Sequence, residues 1–441
     1  MKKLTALLVA TTLFAPTALG AMQAAPAAAL VPAAGDKARG QYAPAAAFGK
    51  DAYLVVWRKG LANREAKLFA SRVDKSGRAL DAKGIALAGD MAFQHEAAVA
   101  FGGDVFLVVF SAIKEGTGAD GLLQSGVFGV RVSADGKVLD AKPVPIGAAP
   151  GHQAQPAVAF DGANFRVAWV ALLDTDTKVN SFRGVQVKGL MEIRTARVSP
   201  AGKVLDAGAG VLAARGPGAQ QWSAFGAAYQ PTVACSGGKV MIGFSYGSSY
   251  PQAVLFGANQ PGPASATDKA ARIELCQVRK GVGRPVGKIR YPALAANGKI
   301  FMASWTDGRG RGFWGPPWPG MLFDIAGKPL SPDGVLPAAG KDKPCMNPAL
   351  TFDGEAFTWV WVDHKTQKLL ANRISPAGKT LEAQDLVLEQ TKKNRAGRYL
   401  PRDFDAPALA SDGAGSTLLV YHKYATAATG RVQVVGRILR K

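Results

Sequence analysis

Hydrophobic and polar positions alternate with a period of two residues along most of this chain, and short glycine-containing turns interrupt the alternation. One phrase recurs about every 60 residues: a proline or alanine, an alternating stretch, a glycine turn, a second alternating stretch and a closing aromatic residue. Such alternation is typical of half-buried β-strands, and Asp-Gly, Asn-Gly and Gly-Gly accept the positive φ angles of tight hairpins. Each phrase therefore predicts two antiparallel strands. The seven copies are PAAAFGKDAYLVVW from Pro44, AAVAFGGDVFLVVF from Ala97, PAVAFDGANFRVAW from Pro156, PTVACSGGKVMIGF from Pro231, PALAANGKIFMASW from Pro292, PALTFDGEAFTWVW from Pro348 and PALASDGAGSTLLVY from Pro407.

A second phrase follows most copies and predicts two further strands around another glycine turn. It reads SRVDKSGRALD from Ser71, VRVSADGKVLD from Val130, ARVSPAGKVLD from Ala196 and NRISPAGKTLE from Asn372, with weaker versions LCQVRKGVGRPVG from Leu275 and LFDIAGKPL from Leu322. Four short antiparallel strands in each of seven repeats predict an all-β chain folded as a seven-bladed β-propeller.

The last repeat contains only three of these strands before the sequence ends at Lys441. The segment from Ala29 to Gly35 (ALVPAAG) resembles GVLPAAG, from Gly334 to Gly340, which precedes the first strand of a repeat. We predict that an N-terminal strand completes the last blade, closes the ring and covers an exposed sheet edge.

The phrases P-A-L/V-A-F-D-G and S-x-x-G-K-V-L-D, with the aromatic residue that closes strand two, resemble the repeats of secreted bacterial β-propeller proteins of a largely uncharacterised family. The resemblance covers nearly all of residues 22–441 and implies the fold and export. It implies no activity, because the matching residues shape turns and blades.

Residues 1–21 have the pattern of a signal peptide, with Lys2 and Lys3 before an apolar run from Leu4 to Phe14 and small residues up to Ala21. The run is short for a membrane span, and no other long apolar segment follows. The sequence thus predicts a signal peptide over 1–21, a single propeller domain over 22–441, and a secreted or periplasmic protein without a transmembrane segment in its mature chain.

The three cysteines, Cys235, Cys276 and Cys345, are an odd number without the spacing of a zinc site. One disulfide is permitted, but we expect buried free thiols. The formal net charge of +21 favours an anionic partner, namely a polysaccharide, a cell-envelope component or an acidic protein, whereas ordinary surface charge is the alternative. We predict no specific nucleic-acid binding, and the sequence indicates no oligomeric state.

Strand order sorts the connections of each blade between two faces. The turns between strands one and two, and between three and four, are short and share one face. The loops between strands two and three, and the linkers between blades, share the other and vary in length. Binding sites commonly lie in such variable loops, so we place the site on that face. The long segments are Ser111–Ser125, Ala171–Lys188, Gly247–Ala270 and Asp307–Gly320, with linkers Arg215–Ala228 and Thr391–Asp405.

The residues just before strand one should surround the mouth of the central channel on that face. One position before the proline or its equivalent lie Ala43, Glu96, Gln155, Gln230, Tyr291, Asn347 and Ala406, and two positions before it lie Tyr42, His95, Ala154, Tyr229, Arg290, Met346 and Asp405. We predict a ligand-binding ring that includes Tyr42, Gln155, Gln230, Arg290, Tyr291 and Asn347. A merely solvated rim is the alternative, and no spacing specifies a metal or a cofactor.

The loop TDGRGRGFWGPPWPGM after Trp305 combines arginine with tryptophan. Exposed residues of these types are common interface anchors, tryptophan stacks on sugars, and arginine pairs with carboxylates or phosphates. We predict that Arg309, Arg311, Trp314 and Trp318 bind the partner, the alternative being that the tryptophans fill the channel.

Catalysis is the competing hypothesis, with a hydrolase or lyase site for a sugar or lactone at the channel mouth. The candidate catalytic residues are His95 with Glu96 and Asp403 with Asp405, and no G-x-S-x-G, H-E-x-x-H or phosphate-binding motif accompanies them. We predict a non-catalytic binding or assembly propeller.

The repeats also predict two structural features. The aromatic residues that end strand two should form the core between blades: Trp57, Phe110, Trp169, Phe244, Trp305, Trp361 and Tyr421. Lysines in the turns between strands three and four should form weak surface pairs with nearby carboxylates: Lys137 with Asp140, Lys203 with Asp206 and Lys379 with Glu382.

Overall fold

The chain is all-β in the part that its computed structural model describes, with strands and turns and no helix. A search of this part for a helix able to cross a membrane finds none. The described residues are 21–30, 41–60, 66–89, 91, 94–113, 125–173, 190–206, 208, 210–215, 230–245, 251–265, 272–276, 289–307, 319–331, 334–336, 338, 345–363, 366–391, 404–424 and 432–441.

Short antiparallel strands group into seven sheets, the blades, in the order of the seven sequence repeats. Blades 1 to 3 contain β3 (Gln41–Gly49), β4 (Ala52–Lys59), β5 (Lys67–Asp74) and β6 (Ile85–Ala86); β7 (His95–Gly102), β8 (Val105–Ile113), β9 (Ser125–Ser133) and β10 (Val144–Gly147); and β11 (His152–Phe160), β12 (Phe165–Leu173), β13 (Leu190–Val198) and β14 (Val211–Arg215). The predicted hairpins are therefore present, each with strand one paired to strand two.

The remaining blades follow the same plan. Blades 4 to 7 contain β15 (Thr232–Ser236), β16 (Lys239–Ser245), β17 (Pro251–Gly257) and β18 (Ile273–Glu274); β19 (Ile289–Ala296), β20 (Ile300–Asp307) and β21 (Gly320–Asp324); β22 (Met346–Phe352), β23 (Phe357–Asp363), β24 (Lys368–Ile374) and β25 (Leu386–Gln390); and β26 (Phe404–Ser411), β27 (Ser416–Tyr424) and β28 (Val432–Arg440). In blade 5, Val335 takes the place of strand four through an isolated bridge to Gly320.

The ring closes as the sequence predicts. The first strand of each blade contacts the first strand of the next, from β3 through to β26 and back to β3. Two short N-terminal strands, β1 (Gln23–Ala24) and β2 (Ala28–Ala29), pair with β28 and complete blade 7. The closing segment begins at β1, before the Ala29 that the sequence predicted. Met22 and Leu30 are both buried in the core of this junction. The predicted closed seven-bladed β-propeller is confirmed.

Aromatic residues at the end of strand two pack between blades, as expected. Trp57, Phe110, Trp169, Phe244, Trp305, Trp361 and Tyr421 are all nearly inaccessible to solvent. Burying a large ring favours folding by roughly 1.5–3 kcal/mol, so one such position per blade secures each contact between neighbouring sheets.

A repeated ion pair fastens strand three to the turn that follows it. In blade 2, the side chain of Asp140 accepts hydrogen bonds from the backbone N–H of Arg131 (2.7 Å) and from Nη2 of the same arginine (2.7 Å). The expectation of lysine pairs is wrong, because the antiparallel turn places the arginine nine residues earlier beside the carboxylate. The pairs are Arg72–Asp81, Arg131–Asp140, Arg197–Asp206 and Arg373–Glu382.

Blade 4 departs from the predicted strand assignment. Its third strand is β17, which lies inside the segment Gly247–Ala270 that we expected to be a loop. The sequence from Leu275 is not strand three, since Ile273 and Glu274 already form strand four. The β17 sequence PQAVLFG is a short apolar run after Gln252, and the S-x-x-G-K phrase that identified strand three in other repeats does not follow it.

The cysteines are free thiols, which confirms the expectation for Cys235, Cys276 and Cys345. Cys276 and Cys345 are buried, and burial raises the pKa of Cys235 to about 12. A thiol with so high a pKa is a poor nucleophile near neutral pH.

Candidate functional site

Each blade directs the start of strand one and the end of strand two toward the same face of the ring, here called the mouth face. Five of the six long segments predicted for this face run between strand ends that lie there. The sixth, Gly247–Ala270, contains β17. The prediction of a variable face is therefore supported by the strand ends.

A β-bulge marks the start of strand one in six of the seven blades. In β3 the pairing with β4 shifts between Tyr42 and Ala45, and the pairing of β7, β11, β19, β22 and β26 shifts at the equivalent place. A bulge interrupts the hydrogen-bond ladder, so a proline without an N–H fits there at little cost. This explains why a proline begins most copies of the repeat.

The residue before the proline position has a left-handed backbone conformation in four blades. Its φ angle is 48° at Ala43, 24° at Glu96, 53° at Gln155 and 47° at Asn347. Residues other than glycine rarely adopt positive φ, and such strain concentrates at functional sites. These are the positions that the sequence placed one residue before the proline, and the bulge brings each of them to the channel mouth.

Glutamines two residues before the strained position form hydrogen bonds in blades 1 to 3, and they are buried in blades 2 and 3 and partly buried in blade 1. Oε1 of Gln94 accepts a hydrogen bond from the backbone N–H of Leu68 (2.7 Å), and Nε2 donates to the carbonyl of Met91 (2.8 Å). Oε1 of Gln153 accepts from Nε1 of Trp169 (2.7 Å). Oε1 of Gln41 accepts from the N–H of Val434 (3.0 Å), which also ties blade 1 to blade 7. The segment that leads into the strained position is therefore hydrogen-bonded to other parts of the ring in these three blades.

Side chains of three blades and a backbone amide of a fourth form a group here called the mouth cluster: Tyr42, Arg58, Glu96, Gln155 and His422. The rings of Tyr42 and His422 meet edge to face with centroids 6.2 Å apart. The guanidinium carbon of Arg58 lies 5.4 Å from the Tyr42 ring centroid. Oε2 of Glu96 accepts a hydrogen bond from the backbone N–H of Gln155 at 2.7 Å.

The two charges of the mouth cluster act on each other. Burial raises the pKa of Glu96, while the hydrogen bond from Gln155 and the nearby guanidinium of Arg58 lower it, with burial the largest effect. Burial lowers the pKa of Arg58, and Glu96 and Tyr42 oppose that change. Arginine remains protonated in proteins, so the cluster pairs a fixed positive charge with a carboxyl group whose ionisation depends on its surroundings.

A second link between neighbouring blades occurs at the equivalent position of blade 6. The backbone N–H of Asn347 donates to Oγ1 of Thr306, in strand two of blade 5, at 2.9 Å. As with Gln155, a ring residue with positive φ gives its N–H to a side chain of the preceding blade. The strained conformation therefore keeps its hydrogen bond although it has left the ladder.

The predicted site residues fall into three groups, for which the structure describes the side chain, only the backbone, or neither. Tyr42, Gln155 and Asn347 are partly exposed within the bulges, and Gln230 is exposed just before β15. Only the backbone is described for a second group, which lies in the first residues of strand one: His95, Arg290, Tyr291 and Asp405. A third group lies outside the described residues: Arg309, Arg311, Trp314, Trp318 and Asp403.

Sequence reasoning missed Arg58 and His422, which belong to strand two rather than strand one. Each is the cross-strand partner of a ring residue that the sequence did identify, Arg58 of Tyr42 and His422 of Asp405. Counting the hairpin register from the turn would have missed both by one residue, because the β-bulge shifts the pairing between the turn and the mouth face.

The candidate catalytic residues have different positions. Glu96 is a member of the mouth cluster, and the backbone of His95 precedes it in β7. Asp405 is represented by its backbone, opposite His422. No group of three or more histidine, cysteine, aspartate or glutamate side chains suited to a metal ion occurs in the described part of the chain.

No protein-family model matches the chain, and no curated protein is a significant match. Among solved structures, a protein of unknown function from Dyadobacter fermentans is 9% identical, with a TM-score of 0.51 over 95% of this chain and 99% of that chain.

Two enzyme structures are also similar in part. Trypanosoma rangeli sialidase is 9% identical, with a TM-score of 0.44. The match covers 91% of this chain and 55% of the sialidase chain, so this chain spans about half the length of the sialidase. A GH43_1 enzyme from Xanthomonas citri is 10% identical with a TM-score of 0.36, over 93% of this chain and 90% of that chain. At these identities the likeness to the Dyadobacter protein concerns the fold alone, and the two enzymes add nothing to it.

Proposed function

We propose that this chain is an exported binding propeller that holds an anionic polysaccharide across its mouth face without transforming it. The observation that carries the proposal is the mouth cluster, in which polar and aromatic groups of four blades are oriented by a ring–ring contact, a cation–π contact and a hydrogen bond. Preorganised polar groups on a rigid scaffold favour binding, because little conformational entropy is lost when the ligand arrives.

The charge of the chain supports an anionic partner. The sequence has 53 lysine and arginine residues against 32 aspartate and glutamate residues. A net positive charge raises the local concentration of polyanions and speeds their association. The loop with Arg309, Arg311, Trp314 and Trp318 connects β20 to β21, and the described ends of both strands lie on the mouth face. Its arginines and tryptophans are the residue types that bind carboxylates and sugar rings.

Export is part of the proposal and is supported by the signal-peptide pattern of residues 1–21. The expected mature chain begins after Ala21, which N-terminal sequencing of the protein purified from outside the cytoplasm tests directly. Retention of residues 1–21 in that material would contradict this part of the proposal.

The binding test compares polygalacturonate with neutral dextran by isothermal titration calorimetry. We expect binding to polygalacturonate that weakens as salt is added, because screening reduces the attraction of exposed charges, and no comparable binding to dextran. Equal affinity for the two polymers, or no binding to polygalacturonate, would overturn the proposal.

Two double variants locate the binding face. The change Arg309→Ala with Arg311→Ala removes two positive charges from the predicted loop. The change Lys137→Ala with Lys203→Ala removes two exposed charges from turns on the opposite face. We expect a loss of affinity on the order of tenfold for the arginine variant, since hydrogen bonds to charged groups contribute about 1.5–3 kcal/mol before exposure is taken into account. An equal loss in the two variants would show that the mouth face is not the binding surface.

A further inference from the structure

The mouth cluster has a charge balance that distinguishes it from the basic loops around it. Arg58 lies on β4 of blade 1 and Glu96 on β7 of blade 2, two strands that contact each other, and the charge of each group shifts the pKa of the other. A guanidinium and a carboxylate on contacting strands partly cancel each other's field at a distance. A site of this kind therefore gives little advantage to a ligand that is only an anion.

The guanidinium of Arg58 is held in a defined orientation. Its Nε donates to the carbonyl of Gly60 (3.3 Å), and its planar group lies over the ring of Tyr42. His422 packs against the edge of the same ring from blade 7. Because Arg58 and Tyr42 are both partly exposed, the group is fixed from within the protein and remains accessible from the mouth.

Glu96 is fixed from the other side. Its Oε2 accepts the backbone N–H of Gln155, and both residues have positive φ. The Gln155 side chain is itself partly exposed and carries a carboxamide that both donates and accepts hydrogen bonds. The cluster thus presents guanidinium donors, carboxylate acceptors, and the tyrosine hydroxyl and carboxamide that can do both.

We infer that the mouth cluster formed by Tyr42, Arg58, Glu96 and Gln155 is a subsite for the hydroxyl groups of one sugar unit. A pair of neighbouring sugar hydroxyls offers both donors and acceptors without net charge, which matches a charge-balanced pair of arginine and glutamate. The inference rests on the proposed function: the basic loops attract the anionic groups of the polysaccharide, and the mouth cluster recognises its hydroxyls.

The experiment compares two polymers that share carboxylate groups but differ in hydroxyls. Polygalacturonate carries sugar hydroxyls, and poly-L-glutamate of similar charge and length carries none. We expect the wild-type protein to bind polygalacturonate more tightly. The change Arg58→Met should lower affinity for polygalacturonate about tenfold, the effect of losing charged hydrogen bonds, and should remove most of the preference over poly-L-glutamate.

The matched control is Arg78→Met, which removes the same charge from a side chain that is 76% exposed in a turn on the opposite face. Its effect on both polymers should be small and equal. Circular dichroism and the thermal midpoint establish that each variant is folded. If Arg58→Met does not fold, Tyr42→Phe tests the same subsite, because it keeps the ring beneath Arg58 and removes only the hydroxyl.

The outcomes separate the inference from the proposed function. If wild-type protein binds both polymers equally and does not bind dextran, the hydroxyl subsite is refuted while binding of anionic polymers stands. If Arg58→Met and Arg78→Met have equal effects, or Tyr42→Phe has none where it replaces Arg58→Met, the cluster is likewise refuted as the subsite. If neither polymer binds, the proposed function fails and the inference fails with it.

Discussion

The left-handed backbone at the mouth can be tested by placing glycine at two alanines of the same strand. Ala43 has a φ of 48°, whereas Ala45, two residues later, pairs with Val56 in the regular ladder of β3 and β4. An alanine in the left-handed region costs roughly 1–2 kcal/mol, and glycine avoids that cost. Replacing alanine by glycine also loosens the unfolded chain, which costs about 0.4–1 kcal/mol at either position.

The two substitutions should therefore differ in sign. For Ala43→Gly the relief of strain outweighs the entropy, and we expect the free energy of unfolding to rise by roughly 0.5–1 kcal/mol. For Ala45→Gly the entropy cost is joined by the loss of a partly buried methyl group, worth at most about 0.8 kcal/mol, so we expect destabilisation of about 1–1.5 kcal/mol. The predicted separation between the variants is on the order of 2 kcal/mol.

Urea unfolding followed by tryptophan fluorescence measures this separation, and a shift in midpoint at constant slope reports stability. Both variants have the same composition, so general effects of an added glycine cancel in the comparison. Equal destabilisation by the two changes would refute the assignment of a strained ring residue at position 43, and with it the account of how the bulge shapes the mouth.

Three further experiments test other features of the fold and site. Burial raises the pKa of Glu96 above its reference value of 4.5, so the wild-type protein should lose stability as the pH rises through 4.5 and through the raised pKa. The Glu96→Gln variant lacks this titration, so its thermal midpoint minus that of the wild type should increase between pH 4 and pH 8. A difference that stays constant over this range would contradict the prediction. Glu382→Gln removes the carboxylate charge beside Arg373, which is 2% exposed, and should lower the free energy of unfolding by about 3 kcal/mol. Asp74→Asn, whose arginine partner is 76% exposed, should lower it by less than about 1 kcal/mol in the same urea assay. Deleting residues 22–30 exposes the edge of β28, so limited proteolysis should cleave this variant faster within blade 7; equal cleavage would mean that β1 and β2 do not protect the closure.

The blade architecture could be predicted because alternation and glycine turns act locally. Wherever both phrases were intact, the four strands followed. The strand assignment of blade 4 was wrong because β17 is a short apolar run without the turn phrase after it, so the alignment of repeats moved strand three to the sequence around Leu275. A hydrogen-bonded pairing partner identifies a strand more reliably than a repeated turn, but pairing is not visible in a single alternating segment.

The mouth could be predicted only in part, for a similar reason. Counting from the proline located Tyr42, Gln155 and Asn347, because the repeat fixes their position along strand one. It did not reveal that Tyr42 would meet His422, nearly 400 positions later in the sequence, since that contact exists only after the ring has closed. The wrong choice of lysines as partners of Asp140 and Asp206 has the same origin: nearness in sequence was used where an antiparallel turn determines nearness in space.

The repeats also separate the residues that form the blades from those that define the site. At the ion pairs and at the end of strand two, different blades use the same or similar residues, because each position has the same structural task. At the ring position the opposite holds: Ala43, Glu96, Gln155 and Asn347 share one strained backbone conformation but differ in size, charge and polarity. These four side chains share no preference for positive φ, so the bulge itself imposes the strained backbone. The bulge therefore forms whichever of these side chains occupies the position. A fold that keeps the backbone constant and varies only the side chain at the channel mouth can change its ligand without changing its blades, and this is why we place recognition at these positions.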